Sequence, residues 1–268
     1  MDITKAGKTL IAAHRGVAGG NIPCNTLTAY QAALLQGADM IELDVTRAKD
    51  GTLYCFHPNM EKVFLRSERL ITDMTSAEVD ALRLYNQDAA VTQFAVPRLE
   101  EALHFLRGRC YINVDKFWLW PQEIGAMIRR LGMQDQVLVK TAADPGIFRA
   151  VEEVAADLPY MVIVRDTDPY SAELQKRPLR YAGAEVLFEN DTAPVAQQEY
   201  IDWMHQNGLI VWANAIIYNY KKQLTGGHSD DLALSGDLQN GWGWLLDRGF
   251  DIIQTDWPGM LKNYMESR

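Results

Sequence analysis

Hydrophobic positions along this chain fall into two alternating rhythms. Runs of five or six largely apolar residues recur as LIAAH (10–14), MIELDV (40–45), CYINVD (110–115), QVLVK (136–140), YMVIV (160–164), EVLFE (185–189), LIVWA (209–213) and DIIQTD (251–256). They lack a polar face, as expected of strands buried on both sides in a parallel sheet. Between them apolar residues step by three and four, as at Leu27, Tyr30, Leu34 and again at Leu99, Ala102, Leu103, Leu106, the spacing of helices. Asn25-Thr26 offers capping side chains before the first helix, and Gly37 and Gly108 stand where helix stops belong. Eight strands alternating with helices over this length predict a (β/α)₈ TIM barrel. A doubly wound open sheet would also alternate, but it usually carries G-x-G-x-x-G after its first strand, whereas Gly16, Gly19 and Gly20 read G-x-x-G-G.

Two stretches break the rhythm. Residues 53–97 hold a short run, LYCFH (53–57), then an irregular charged segment with one predicted helix around Ser76–Leu84. Residues 214–240 are rich in Tyr, Gly and Asp. Neither resembles a domain linker, so the expectation is a single domain over 1–268 with inserted loops around 58–97 and 214–240, loops of that length being usually functional.

Composition narrows the partners. The 268 residues are 48% hydrophobic and carry a net charge of −9 without a basic stripe, which argues against nucleic acid. Apolar runs are all too short for a membrane span. The N-terminus has no long apolar core ahead of His14 and Arg15, so no signal peptide is expected. Three cysteines, Cys24, Cys55 and Cys110, form no paired spacing and point to a reducing, cytoplasmic setting. The sequence does not specify an oligomeric state.

Candidate chemistry concentrates at strand ends. Glu42 and Asp44 are two apart in one strand and so share a face, where two buried carboxylates need a positive companion such as a hard divalent cation. Taken alone, an E-x-D pair fits a salt-bridged strand edge equally well. His14 and Arg15 end the preceding strand, and His57 ends the run that follows, so all five residues reach one barrel rim. Arginine can fork onto phosphate and imidazoles can exchange protons near neutral pH. Asp115 and Lys116 close the next strand and could add a third carboxylate and a point charge for phosphate, or pair only with each other. At the last strand, Thr255 and Asp256 could contact ligand or cap the final helix, and capping is the preferred reading.

With these residues in place, HRG (14–16), N-T (25–26), A-L-x-x-G-A-D-x-I-E-L-D-V (33–45), D-G (50–51), F-H (56–57), P-R-L-E-E-A-L (97–103) and I-I-Q-T-D-W-P (252–258) resemble the glycerophosphodiester phosphodiesterase family across almost the whole chain. The resemblance implies a TIM barrel with one divalent ion, Ca²⁺ or Mg²⁺, on Glu42 and Asp44. It implies His14 and His57 as the general acid/base pair and Arg15 as phosphate ligand. The implied reaction is hydrolysis of a small phosphodiester to an alcohol and glycerol phosphate, a step of lipid and glycerol metabolism.

The chain departs from the family pattern at three points. P-C-N-T replaces P-E-N-T, putting Cys24 where a carboxylate helps form the site; His57-Pro58 replaces H-D; and Val114-Asp115-Lys116 stands for E-x-K, which asks for a register shift or bulge if Asp115 is to reach the metal. A thiolate nucleophile at Cys24 is disfavoured beside carboxylates. These departures leave two other readings: a non-catalytic phosphate-binding barrel, and a phosphodiesterase for a sugar phosphodiester or lipid head group. For the latter, Phe117, Trp118, Trp120, Trp212, Tyr218 and Tyr220 near strand ends could stack on a sugar or cradle a choline-like cation.

Overall fold

The computed structural model describes residues 3, 7–218, 221 and 223–268. Nine strands lie among the described residues: β1 (Leu10–His14), β2 (Met40–Arg47), β3 (Leu53–Cys55), β4 (Tyr111–Asp115), β5 (Val137–Ala142), β6 (Tyr160–Arg165), β7 (Tyr181–Leu187), β8 (Ile210–Asn214) and β9 (Ile252–Thr255). All but β3 run parallel in the order β1-β2-β4-β5-β6-β7-β8-β9, and the β9–β1 pairing closes the ring into an eight-stranded barrel. Helices follow the strands on the outside, beginning with α1 (Leu27–Leu35), as the two rhythms of the sequence require. Among the described residues no helix is long and apolar enough to cross a membrane.

The strands have two lives because side chains alternate. Outward residues such as Ile41, Leu43, Ile112, Val114 and Val139 pack under the helices in one continuous core. Inward residues at the N-terminal end, including Leu10, Met40, Met161 and Trp212, plug the barrel with apolar bulk. Above that plug the inward positions turn polar, and Glu42, Asn113, Lys140, Glu185, Asn214 and Gln254 are all buried. The site therefore rests on a dry floor.

The insertion after β2 has its own small core. β3 pairs antiparallel with the end of β2, and Tyr54, Phe56, Ile71, Met74 and Val79 pack together beside it. Within it α2 (Glu61–Phe64) and α3 (Ser76–Ala81) are short; α3 ends three residues before the predicted Leu84, because Leu82 is already extended and Leu84 pairs with Phe94 and Thr92.

One strand is displaced from its predicted span. β7 covers Tyr181–Leu187 rather than 185–189. Its first half, Tyr-Ala-Gly-Ala, carries little bulk and so hides its strand character. Gly183 explains the composition: a Cβ there would sit 1.8 Å from the Ile210 carbonyl oxygen, so only glycine lets β8 close on β7. At the other end Phe188 leaves the barrel to pair with Leu224.

Candidate active site

The residues singled out at strand ends converge at the C-terminal mouth of the barrel. His14 lies beside Glu42 in the β1–β2 register, and Asp44 lies beside Asp115 in the β2–β4 register. Carboxylate oxygens of Glu42, Asp44 and Asp115 lie within 4.8 Å of one another. The β2–β4 ladder is continuous through Asp44↔Asp115, so Asp115 reaches the cluster without the register shift or bulge expected of it. The adjustment comes one residue later, where Lys116 takes a left-handed conformation (φ 60°) and turns its Nζ back to 2.5 Å from Asp115 Oδ2.

The β1–α1 loop secures this cluster. Arg15 is left-handed (φ 58°), its backbone N–H donates to Glu42 Oε2 at 3.0 Å, and its Nε makes an ion pair with Asp44 Oδ2 at 2.7 Å without hydrogen-bond geometry. Gly16 is obligatory, since a Cβ would lie 2.6 Å from the Ala29 carbonyl carbon at the start of α1. Asn25, also left-handed, donates from Nδ2 to Asp44 Oδ2 at 2.9 Å and accepts from the Asp44 N–H and Tyr30 hydroxyl. Thr26 caps α1 as expected, accepting from Ala29 N–H. Such strain clustered around one site is what a functional constellation commonly stores.

The surroundings of this cluster pull two of its carboxylates in opposite directions. Glu42 is pushed up by burial and then by Asp44. Burial would also raise Asp115, but Lys116 and Lys140 outweigh it and hold the group low. Asp44 Oδ1 is buried with no hydrogen-bond donor of its own. Hard oxygen donors at this spacing, with one oxygen left over, fit a divalent cation.

The two histidines have different backing. His14 Nδ1 lies 2.8 Å from Asp256 Oδ1, so the ring donates to a carboxylate; burial lowers its affinity for a proton, but Asp256 and Glu42 more than restore it. His57 is delivered by β3 to 3.9 Å from Asp44 Oδ1, and its Nδ1 is 2.9 Å from the Pro58 carbonyl. A carbonyl only accepts, so Nδ1 carries the hydrogen and Nε2 faces the site with a free lone pair. Burial holds His57 below its ordinary range, against the pull of Asp44. Asp256 thus backs His14 instead of capping the last helix (Pro258–Glu266), whose cap position is Trp257. Thr255 accepts from the Trp257 N–H and donates to Asp230.

Residues spread through the later strands complete the mouth. Lys140 on β5 lies 2.5 Å from Glu185 on β7, which also accepts from Asn214 on β8 at 2.8 Å, while Lys140 Nζ sits 4.0 Å above the Trp212 ring. Burial pulls the Lys140 pKa down, yet Glu185 and Asp115 keep it above the ordinary lysine value. Lys140, Glu185 and Asn214 did not stand out in the sequence, nor did Asn25 as a partner of the site; the signal available for the first three was a polar residue at an inward position of an otherwise apolar strand. Two cavities meet at His14 and Arg15. A small one of about 90 Å³ enters the barrel between Glu42, Asp115, Lys140, Glu185, Asn214 and Tyr218. A larger groove of about 700 Å³ runs outward between the β1–α1 loop, the insertion and Trp257.

Cys24 lines the outer groove, where burial pushes its thiol up to about 11, so it stays protonated. Of the aromatics considered for stacking, Trp118 and Tyr218 do line the inner cavity, whereas Phe117 and Trp212 are wholly buried and Trp120 packs on the core. Tyr220 lies outside the described residues.

A model of the glycerophosphoryl diester phosphodiesterase family matches residues 14–260. The chain belongs to that family. A relative from Bacillus altitudinis, a glycerophosphodiester phosphodiesterase, is 35% identical over 145 residues, covering 50% of this chain and 58% of its own length. The chain thus spans less than two thirds of that relative. Among solved structures, a family member from Parabacteroides distasonis superposes with a TM-score of 0.80 at 20% identity, over 100% of this chain and 92% of the other. An Oleispira antarctica phosphodiesterase, solved in complex with its product sn-glycerol-3-phosphate, superposes with a TM-score of 0.70 at 19% identity, over 98% and 99%. At such identities these likenesses speak for the barrel.

Proposed function

We propose that the chain hydrolyses a glycerophosphodiester to an alcohol and glycerol phosphate. The observation that carries this reading is the convergence of three carboxylates with two differently backed histidines on one barrel mouth. Glu42, Asp44 and Asp115 would hold one divalent cation, Ca²⁺ or Mg²⁺, which when bound supplies Lewis-acid polarisation of the phosphate oxygens. Arg15 and Lys116, with Lys140 behind them, bring positive charge to the phosphate.

Proton traffic follows from the backing of each ring. His57, neutral with Nε2 free, takes the proton of the nucleophile, either water or a substrate hydroxyl. His14, whose imidazolium form is stabilised by Asp256, gives its Nε2 proton to the departing alcohol oxygen. The inner cavity offers Lys140, Glu185 and Asn214 as partners for glycerol hydroxyls, consistent with the product bound by the Oleispira antarctica enzyme. Three free cysteines agree with action in a reducing compartment such as the cytoplasm.

The test is a hydrolysis screen with glycerophosphocholine, glycerophosphoethanolamine, glycerophosphoglycerol and sugar phosphodiesters, each with and without chelator. Release of glycerol phosphate that stops with chelator and returns with Ca²⁺ or Mg²⁺ is expected. Turnover indifferent to chelator, or none with any diester, would overturn the reading.

A further inference from the structure

A phosphodiester has two arms, and the barrel mouth offers two unlike cavities joined at His14 and Arg15. The inner cavity, about 90 Å³ and edged by Lys140, Glu185 and Asn214, suits a small polyol and little more. The outer groove is several times larger, at about 700 Å³, and its lining includes Val17, Ile22, Val63, Phe64, Tyr85 and Trp257 beside polar groups such as Gln36, Arg66 and Asn86.

Two of these apolar side chains are also open to solvent: Val63 and Trp257 are about half exposed (50% and 52%). Exposed large apolar side chains scattered singly mean little, but gathered at the entrance of a concave site they mark a binding surface.

We infer that the outer groove receives the leaving arm of the diester and that this arm carries a single apolar chain, making the preferred substrate a single-chain amphiphile with glycerol phosphate as its other arm. The assignment rests on the proposed hydrolysis. In that reaction water adds to phosphorus, the bond from phosphorus to the chain-bearing oxygen breaks, and glycerol phosphate forms. The proton lost by water goes to His57, and that delivered to the departing oxygen comes from His14, which lines the groove. A chain lying on Val63 and Trp257 would hold its oxygen against His14 while glycerol hydroxyls stay in the polar cavity.

Glycerophosphomethanol and glycerophospho-octanol separate the possibilities, because they differ only in the chain. Their kcat/KM values are compared in the wild-type protein, and their binding is measured by calorimetry on the slowed His14→Ala variant. We expect the octyl ester to bind and react at least about tenfold better, since each buried methylene contributes favourably. The Val63→Glu/Trp257→Ser double variant, altered only at half-exposed positions, should bring the octyl-to-methyl ratio close to one. Equal affinity for the two esters, or an octyl advantage that survives in the double variant, would overturn the assignment. Tight octyl binding without turnover of either ester would instead overturn the proposed hydrolysis and leave the groove's ligand as assigned.

Discussion

The barrel mouth has two walls, built in different ways. On the wall formed by β1, β2, β3 and β4, the chemistry is dense and local: His14, Arg15, Asn25, Glu42, Asp44, His57 and Asp115 come from the first four strands and their loops. On the wall formed by β5 to β9, single polar residues stand alone in apolar strands, among them Lys140, Glu185, Asn214 and Gln254, with Asp256 just beyond β9. In the proposed reaction the first wall would supply oxygen donors for a cation and the groups that move protons. The second is a frame of buried pairs that shapes a small cavity and supports His14 from behind. Charge proposed to move protons and hold a cation, and charge that frames the cavity and positions the glycerol arm, should therefore respond differently to substitution.

The largest effect is expected at the first wall. Asp44 accepts from Asn25, pairs with Arg15 and offers an unbonded oxygen, so Asp44→Ala should cost ~10³-fold or more in kcat/KM, as losing several kcal/mol of charge stabilisation implies. Calorimetric titration of the same variant should show loss of divalent-ion binding with the barrel's circular dichroism intact. Wild-type turnover in this variant would refute the metal-site assignment.

Next come the two histidines of the same wall. His14→Ala and His57→Ala should each lower kcat by ~10²–10⁴-fold, the range for a positioned acid or base. Asp256→Asn keeps the shape but removes the charge behind His14, and the loss of one charge-assisted hydrogen bond should cost a further-reduced ~10–100-fold. A pH–rate profile separates them: the limb assigned to His14 should move to lower pH in Asp256→Asn, whereas the His57 limb should stay. If neither limb moves, Asp256 does not act through His14.

The contrast also explains how far the sequence could be read. Strand count, the barrel and the His14–Arg15–Glu42–Asp44–His57 set are legible because each motif falls within a few residues of a strand end, and strand ends of a barrel meet. Asp115 is nearly so; only the turn-back of Lys116, a backbone event, hides how simply it joins the cluster. Lys140, Glu185 and Asn214 carry no motif, since they are brought together by the register of three neighbouring pairs of strands and become meaningful only once inward and outward faces are known. β7 was hidden for a similar reason: Gly183 is chosen by the approach of Ile210, a partner distant in sequence.

On the second wall, stability should change more than chemistry. Lys140→Met leaves Glu185 buried without its cation, and breaking one side of a buried pair costs about 3–5 kcal/mol. Urea denaturation should show this loss, and Lys140→Met/Glu185→Leu should recover most of it, because a matched apolar pair removes the stranded charge. A double variant no more stable than the single one would mean that the pair is held for binding and not for the frame.

The smallest effect concerns Asp230, which sits behind the end of β9. Its carboxylate accepts from Trp242 Nε1 and Thr255 Oγ1, each at 2.7 Å, and from the Asp256 N–H at 2.8 Å, so it fixes the end of β9 and with it the partner of His14. Burial raises its pKa to about 6 from an ordinary 3.8, against those three donors. The folded protein therefore retains a proton between about pH 4 and pH 6 that the unfolded chain has released. Stability from this group is fully present below pH 4 and is lost as pH rises through 6, by up to about 3 kcal/mol for two pH units. The difference in unfolding free energy between wild type and Asp230→Asn, which cannot titrate, isolates the group from every other carboxylate. That difference should move against the wild type from pH 4 to pH 7 and then level off. Parallel curves across that window would mean that Asp230 is ionised throughout, its three donors outweighing its burial, and that the end of β9 is anchored by a charge at every working pH.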